Sequence, residues 1–219
     1  MKIGVFDSGV GGLSVAQAIE RALPEHTVVY RDDHEHVPYG SKTPDEVLKY
    51  VEPILRDMAE TGCGIIVIAC NTVSTTLIDI LRERLDVPLV AMEPMVKPAA
   101  QLTRTGVIAV CATPATLASD RYAWLKRTYA PDVIVLEPDC SDWAAMIEQK
   151  QVERDKIDER ISACLDRKAD VIVLGCTHYH WIEQEIATLC AGRALVIQPE
   201  PAIIKRLEQL MSDKHTGAV

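Results

Sequence analysis

Two short runs decide the fold: Ile65-Ile66-Val67-Ile68-Ala69-Cys70-Asn71-Thr72 and, later in the chain, Val171-Ile172-Val173-Leu174-Gly175-Cys176-Thr177-His178. Each begins with an unbroken apolar stretch of strand length, which is typical of a parallel strand buried on both faces. Each then reaches a cysteine followed by polar residues, at the sheet edge where parallel α/β proteins hold their ligands. Two thiols in matching local frames predict a symmetric site that reaches a substrate from opposite sides.

Composition limits the function classes. The 219 residues are 48% hydrophobic and 25% charged, which fits a globular protein of one large domain or two small α/β lobes, and no segment is long enough to span a membrane. A net charge of −9 argues against nucleic acid or an anionic membrane as the main partner. Seven cysteines make a poor disulfide framework, and the N-terminus shows no signal-peptide pattern. We therefore expect a cytoplasmic protein with free thiols.

Strand-like and helix-like segments alternate along the chain, which predicts a mostly parallel sheet with helices on both faces. Thr43-Pro44-Asp45-Glu46 and Thr113-Pro114 place a capping hydroxyl before a first-turn proline. The prolines of the run 92–98 predict an interrupted hinge between two halves. We predict strands at 3–6, 27–30, 65–69, 88–91, 106–110, 132–136, 171–174 and 194–197. Helices are predicted at 12–22, 44–60, 74–85, 115–129, 143–149, 153–168 and 200–212.

The first strand ends in a glycine-rich turn, Asp7-Ser8-Gly9-Val10-Gly11-Gly12. With Asp32 after the second strand, one interpretation is a dinucleotide phosphate loop. The glycine spacing departs from that fingerprint, and a carboxylate at Asp7 would repel a pyrophosphate. Asp7 suits a ligand ammonium group or a proton shuttle beside a thiol instead. Pro38-Tyr39-Gly40 is a second turn, which by itself indicates only a break before a helix.

Polar residues follow both strand-tip thiols. Asn71 and Thr72 come after Cys70, and Thr177 and His178 come after Cys176. Backbone N–H groups at a helix N-terminus can hold a carboxylate and depress a thiol pKa, so this placement serves binding and catalysis alike. The alternative, that a buried cysteine is only a small hydrophobe, better suits four others: Cys63, Cys111, Cys164 and Cys190.

Two other function classes stay open on the residues alone. The segment Asp32-Asp33-His34-Glu35-His36, with His178, His180 and Glu183, could supply the ligands of a metal hydrolase, although such residues in loops are more often solvated. A noncatalytic amino-acid-binding module is the third option. Pure binding needs neither thiol, so the presence of both favours an enzyme.

In order and spacing, the motifs around Asp7, Tyr39, Cys70 and Cys176 resemble those of the glutamate racemases, within the aspartate/glutamate racemase superfamily. The resemblance covers residues 7–179 and implies two pseudo-symmetric α/β lobes, each with a mostly parallel sheet flanked by helices, around an active-site cleft. We place the first lobe at residues 1–94 plus 199–219 and the second at 95–198. The implied activity is cofactor-independent interconversion of L- and D-glutamate for peptidoglycan, with no metal. Whether the chain forms a homodimer stays open.

The resemblance also implies roles for individual residues. Cys70 and Cys176 would be the acid/base thiols, with Cys70 deprotonating D-glutamate and Cys176 deprotonating L-glutamate, and Asp7 and His178 would assist them. The resemblance also implies a set of substrate-binding positions. Glu148 is one of them, because it lies eight residues after Cys140, where the family has another glutamate in the cleft. The full set is Asp7, Ser8, Pro38, Tyr39, Gly40, Asn71, Thr72, Thr113, Thr116, Glu148, Thr177 and His178.

Departures from the family pattern concern the shape of the cleft more than the thiols. Tyr179 is followed by His180 and Trp181 where the family has proline after the tyrosine, and Gln198-Pro199 replaces a usual Asp-Ser. Aspartate therefore stays open as the substrate, because one methylene of substrate length cannot be read from motif spacing.

Overall fold

The strands that carry the two cysteines each lie second from one edge of a four-stranded parallel sheet. The computed structural model describes residues 1–216, with side chains through Ser212. The strand orders are β2-β1-β3-β4 and β6-β5-β7-β8, so the two sheets share one topology. The strands are β1 Lys2–Asp7, β2 Thr27–Asp32, β3 Cys63–Ile68, β4 Leu89–Ala91, β5 Val107–Ala112, β6 Ile134–Leu136, β7 Val171–Gly175 and β8 Leu195–Ile197. The predicted α/β fold of two similar lobes is confirmed.

Helices cover both faces of each sheet, as the alternating pattern predicts. They are α1 Leu13–Ala22, α2 Pro44–Glu60, α3 Asn71–Thr76, α4 Ile78–Arg84, α5 Val96–Leu102, α6 Pro114–Leu117, α7 Asp120–Tyr129, α8 Trp143–Glu148, α9 Arg154–Asp166, α10 Glu183–Cys190 and α11 Glu200–Thr216. Four short 3-10 helices span Val10–Gly12, His34–His36, Tyr39–Ser41 and Thr177–Ile182. In the described part of the chain, no helix combines the length and apolar character needed to cross a membrane.

Alternate residues of each central strand enter different hydrophobic cores. Ile66 and Ile68 of β3 pack on one face of the first sheet, whereas Ile65 and Val67 pack on the other. The residues of β7 divide in the same way between the two faces of the second sheet. Each such side chain contributes about 1.5–3 kcal/mol of burial free energy, so both strands are fixed and deliver their cysteines to defined positions.

Helix starts with a clear chemical signal are where the sequence predicts them. Thr43 accepts a hydrogen bond from the Glu46 amide, and the Glu46 carboxylate accepts one from the Thr43 amide, so α2 begins with a capping box. Thr113 caps α6 through the amide of Thr116. Both predicted caps are confirmed.

Two predicted helices are each divided in two. The segment 74–85 begins earlier, at Asn71, and breaks at Leu77, because hydroxyls such as Thr75 and Thr76 bond back to carbonyls within α3. The segment 115–129 breaks where Ser119 caps a new helix, α7. The predicted interruption across residues 92–98 is correct only as far as Met95, because α5 already begins at Val96. Pro98 lies in the first turn of that helix, where a missing N–H group has no partner to lose.

The last helix returns to the first sheet. Ile203 and Leu207 of α11 pack in the same core as Ile3 and Val5 of β1. We use "first lobe" for β1–β4 with the helices on them, α11 included, and "second lobe" for β5–β8 with theirs. The boundaries at residues 94 and 199 stay predictions.

Candidate active site

Cys70 lies at the start of α3, two residues after β3, in the first lobe. Its side chain is buried, and its thiol donates a hydrogen bond to Ser8 Oγ at a sulfur–oxygen distance of 3.4 Å. Burial, with the nearby charge of Asp7, raises the pKa of Cys70 to about 12 although the Ser8 contact opposes the rise. The expected depression by a helix N-terminus is wrong here, because desolvation outweighs it.

Asp7 ends β1 and lies behind the thiol rather than at the cavity surface. It is fully buried, and its Oδ2 accepts hydrogen bonds from the Gly12 amide at 2.6 Å and from Thr177 Oγ1 at 3.0 Å. Its Oδ1 has no partner among the described residues. Burial raises the pKa of Asp7, against the opposing charge of His178. Asp7 therefore joins the two lobes. Of its two predicted roles, this buried position favours the one beside a thiol over contact with a ligand ammonium group.

Cys176 lies at the matching position in the second lobe, directly after β7, and has a different partner. The Sγ of Cys176 is 3.8 Å from His178 Nδ1, and His178 Nε2 is 2.6 Å from Glu148 Oε2. Burial lowers the His178 pKa, but the contacts with Cys176 and Glu148 prevail and raise it to about 11. The hydrogen bond to His178 lowers the pKa of Glu148. Glu148 and Cys176 thus both stabilise an imidazolium at His178.

The glycine-rich turn is a contact surface between the lobes. An added Cβ at Gly11 would be 2.6 Å from the His178 amide nitrogen, and one at Gly9 would be 3.0 Å from Glu148 Oε2. The Gly11 distance is too short for a side chain, and a side chain at Gly9 would require the Glu148 carboxylate to move by a few tenths of an ångström. Glycine at position 11 thus permits the backbone of the first lobe to approach His178 closely. This packing accounts for the glycines without a bound phosphate.

Asn71 and a row of hydroxyls bring neutral donors and acceptors to the site. Asn71 is almost fully buried, and neither polar atom of its side chain has a partner in the described part of the chain. Thr72 Oγ1 is 3.0 Å from Thr113 Oγ1 across the lobes, and Thr113 in turn contacts Thr116. A buried unpaired amide is costly, so Asn71 is placed to pair with a ligand.

The turn at Pro38-Tyr39-Gly40 forms another wall. The Tyr39 hydroxyl donates to Asp33, which also contacts His36 Nδ1 at 2.7 Å. A Cβ at Gly40 would be 3.0 Å from Thr113 Cβ, so the turn fits closely against the second lobe. The turn therefore does more than separate a strand from a helix.

A cavity of about 330 Å³ lies between the lobes and has both thiols in its wall. Of the predicted site residues, Asp7 and Thr116 lie behind this wall, and the others line it: Ser8, Pro38, Tyr39, Gly40, Cys70, Asn71, Thr72, Thr113, Glu148, Cys176, Thr177 and His178. The sequence reasoning missed Val37, Ser41, Pro114, Ser141, Ala144, Ala145 and Gln149. Ser141, Ala144 and Ala145 precede Glu148 at helical spacing, a signal that could have found them.

The histidines of the metal alternative contact separate carboxylates. His34 Nδ1 is 3.0 Å from Asp32 Oδ1, and His180 Nδ1 is 3.3 Å from Glu200 Oε1. Among the side chains that the structure describes, which end at Ser212, no group of three or more His, Cys, Asp or Glu residues is arranged to hold a metal ion.

The fold and the site together define a class of protein: an α/β enzyme whose candidate active site lies between two lobes of like topology, with one thiol from each lobe in its wall. The sequence model of the Asp/Glu/Hydantoin racemase family matches residues 3–207. The chain belongs to this family.

Individual relatives agree with this assignment. A glutamate racemase of Pseudomonas aeruginosa is 40% identical over 96% of this chain and 81% of its own. The structure of Escherichia coli glutamate racemase with L-glutamate and the activator UDP-MurNAc-ala has a TM-score of 0.88 and 31% identity, covering 96% of this chain and 82% of that one. The Francisella tularensis glutamate racemase structure with D-glutamate has a TM-score of 0.83 and 29% identity, covering 98% and 82%.

Proposed function

We propose that this protein interconverts L- and D-glutamate without a cofactor, using Cys70 and Cys176 as the two acid/base groups. The observation that carries the proposal is that two thiols, each from a different lobe, line one cavity beside the Asn71 amide, which has no partner among the residues described. The similarity to racemases solved with L- and with D-glutamate supports the substrate.

The chemistry requires a base on one side of the α-carbon and an acid on the other. One thiolate takes the α-proton, and the opposite thiol gives its own proton to the far face, which inverts the centre. By the family resemblance, Cys176 takes the proton from L-glutamate and Cys70 takes it from D-glutamate. After one turnover the protons have exchanged places, so the enzyme is ready for the reverse reaction.

The unlike neighbours of the thiols fit this cycle. A His178 imidazolium beside Cys176 stabilises a thiolate there, and Glu148 stabilises that imidazolium. Cys70, with its raised pKa and its hydrogen bond to Ser8, is held as the thiol. With Cys176 as the thiolate and Cys70 as the thiol, the site acts on L-glutamate, and the opposite protonation state acts on D-glutamate.

The substrate carboxylates need donors, because neither lysine nor arginine lines the described cavity. Asn71, Thr72, Thr113 and Thr177 supply amide and hydroxyl donors, and the backbone amides that follow each cysteine add to them. These groups replace the water that the carboxylates lose. A cavity of about 330 Å³ is at the small end of ligand sites and suits a single amino acid.

The test is an optical assay of the purified protein with L-glutamate, D-glutamate and both aspartates, with no cofactor added. The proposal predicts loss of optical rotation from either glutamate enantiomer, and much slower change with aspartate. Turnover of aspartate alone would assign the second candidate substrate. No turnover of either, with glutamate still bound, would favour a noncatalytic binding protein.

We further propose that the product D-glutamate supplies peptidoglycan precursors in the cytoplasm. A bacterial strain that requires external D-glutamate provides the test, since expression of this chain would remove that requirement. Expression of the Cys176→Ser variant at the same level is the matched control and would leave the requirement in place.

A further inference from the structure

We infer that His180 is a positioning residue for the proposed racemase site, which it serves by tying the Cys176–His178 segment to the first lobe. The 3-10 helix Thr177–Ile182 carries His178 and Thr177 and belongs to the second lobe. The side chain of His180, in the same 3-10 helix, is only 3% exposed and faces the first lobe. The inference rests on the proposed function only for its kinetic readout.

The contacts of His180 form one connected chain, in which a hydrogen bond and an ion pair meet at Nδ1. His180 Nδ1 lies 3.3 Å from Glu200 Oε1 in α11 and 3.1 Å from Ser14 Oγ in α1. Ser14 Oγ donates its proton to the Gly11 carbonyl at 3.1 Å, so its contact with Nδ1 requires a proton on Nδ1, which the nearby Glu200 carboxylate also favours. The contacts with His180 lower the pKa of Glu200 against the effect of its burial.

The chain of contacts ends on the glycine that touches the catalytic segment. Gly11 approaches the His178 amide so closely that no side chain fits between them. On the other side of His178, Thr177 donates to Asp7 of the first lobe at 3.0 Å. His178 is therefore held between two contacts that cross the lobes, one at Thr177 and one at His180.

This arrangement has a consequence for the reacting groups. The imidazole of His178 meets Cys176 at 3.8 Å and Glu148 at 2.6 Å, so a small rotation of the 3-10 helix would separate one of these pairs. A displacement of about 1 Å by a residue remote from the chemistry can lower a rate by up to about 10²-fold. The His180 contacts set the orientation of His178 without touching the substrate.

Two substitutions of His180 can distinguish the effect of its Nδ1 contact from the effect of packing alone. The amide nitrogen of an asparagine overlies Nδ1 of a histidine, whereas that of a glutamine overlies Nε2, which has no partner among the described residues. His180→Asn therefore keeps the contact with Ser14 and Glu200, and His180→Gln loses it. Trp181→Ala is the matched control, because Trp181 is the next residue of the same 3-10 helix and is 54% exposed.

The experiment measures kcat and KM in both directions for these variants, together with hydrogen–deuterium exchange of the amides of residues 177–182. We expect His180→Gln to lower kcat about tenfold with KM within about twofold and to speed amide exchange in this segment. His180→Asn and Trp181→Ala should stay within about twofold of the parent protein. Ser14→Ala, which leaves the histidine in place, should lower kcat in the same direction and replaces His180→Gln if that variant does not fold.

Two results would overturn the inference: unchanged kcat and amide exchange in both His180→Gln and Ser14→Ala, or equal damage from His180→Asn and His180→Gln. A parent protein that does not racemise glutamate would instead contradict the proposed function. In that case the exchange of residues 177–182 alone decides whether His180 holds the segment.

Discussion

The two cysteines occupy equivalent places in two sheets of the same topology, yet their surroundings differ in charge. Cys70 has a neutral hydroxyl, Ser8, as its partner and a buried carboxyl group, Asp7, nearby, and its pKa is raised to about 12. Cys176 meets an imidazole whose own pKa is raised to about 11. Repeated topology thus places the two candidate acid/base thiols, whereas the unlike neighbours give them different electrostatic surroundings.

The largest expected effect comes from removing either thiol. Cys70→Ser and Cys176→Ser should each lower racemisation by about 10⁴-fold, because a serine hydroxyl is too weak an acid and base to replace a thiol at neutral pH. Glutamate binding, measured by calorimetry, should persist, since the carboxylate donors remain. Two-way turnover near the parent rate in either variant would contradict the two-thiol account.

A smaller effect should separate the partners of the two thiols. His178→Gln should lower kcat about 10²-fold, because Cys176 loses its cationic partner and Glu148 is left as an uncompensated half-buried charge. Ser8→Ala should cost about tenfold or less, since it removes a single neutral contact from Cys70. Steady-state kinetics on both variants makes the comparison, and an equal loss in the two would remove the asymmetry.

The sequence predicts the fold and most of the site because both depend on local patterns. Buried strands, helix caps such as Thr43, and polar residues after a strand-tip cysteine are all short-range signals. Contacts across the lobes are not local. The role of Gly11 against His178, the place of Asp7 behind the wall and the His180–Glu200 contact all depend on how the two lobes meet.

The rise in the Cys70 pKa shows the same limit. A helix N-terminus is visible in sequence and predicts a lowered thiol pKa, but full burial and the charge of Asp7 depend on the packed cleft. The direction of the Cys70 pKa shift therefore cannot be predicted from the residues next to it in sequence.

The smallest effect concerns pH. With the pKa of Cys70 raised to about 12, its thiolate is a minor species at neutral pH, and its fraction grows about tenfold for each pH unit below that value. In the Cys176→Ser variant, alkylation of Cys70 by iodoacetamide should keep rising through pH 10. The Cys70→Ser/Cys176→Ser double variant corrects for the remaining cysteines. A rate that levels off by about pH 10, as for an ordinary thiol with a pKa of about 8.5, would contradict the raised pKa.

The most direct test of the central claim follows α-proton exchange in deuterium oxide by nuclear magnetic resonance, with Cys70→Ser and Cys176→Ser each given both glutamate enantiomers. If each thiol serves one face of the substrate, Cys176→Ser exchanges only the α-proton of D-glutamate, and Cys70→Ser exchanges only that of L-glutamate. Neither variant inverts its substrate. Exchange of both enantiomers by a single variant would show that one thiol reaches both faces and would contradict the account.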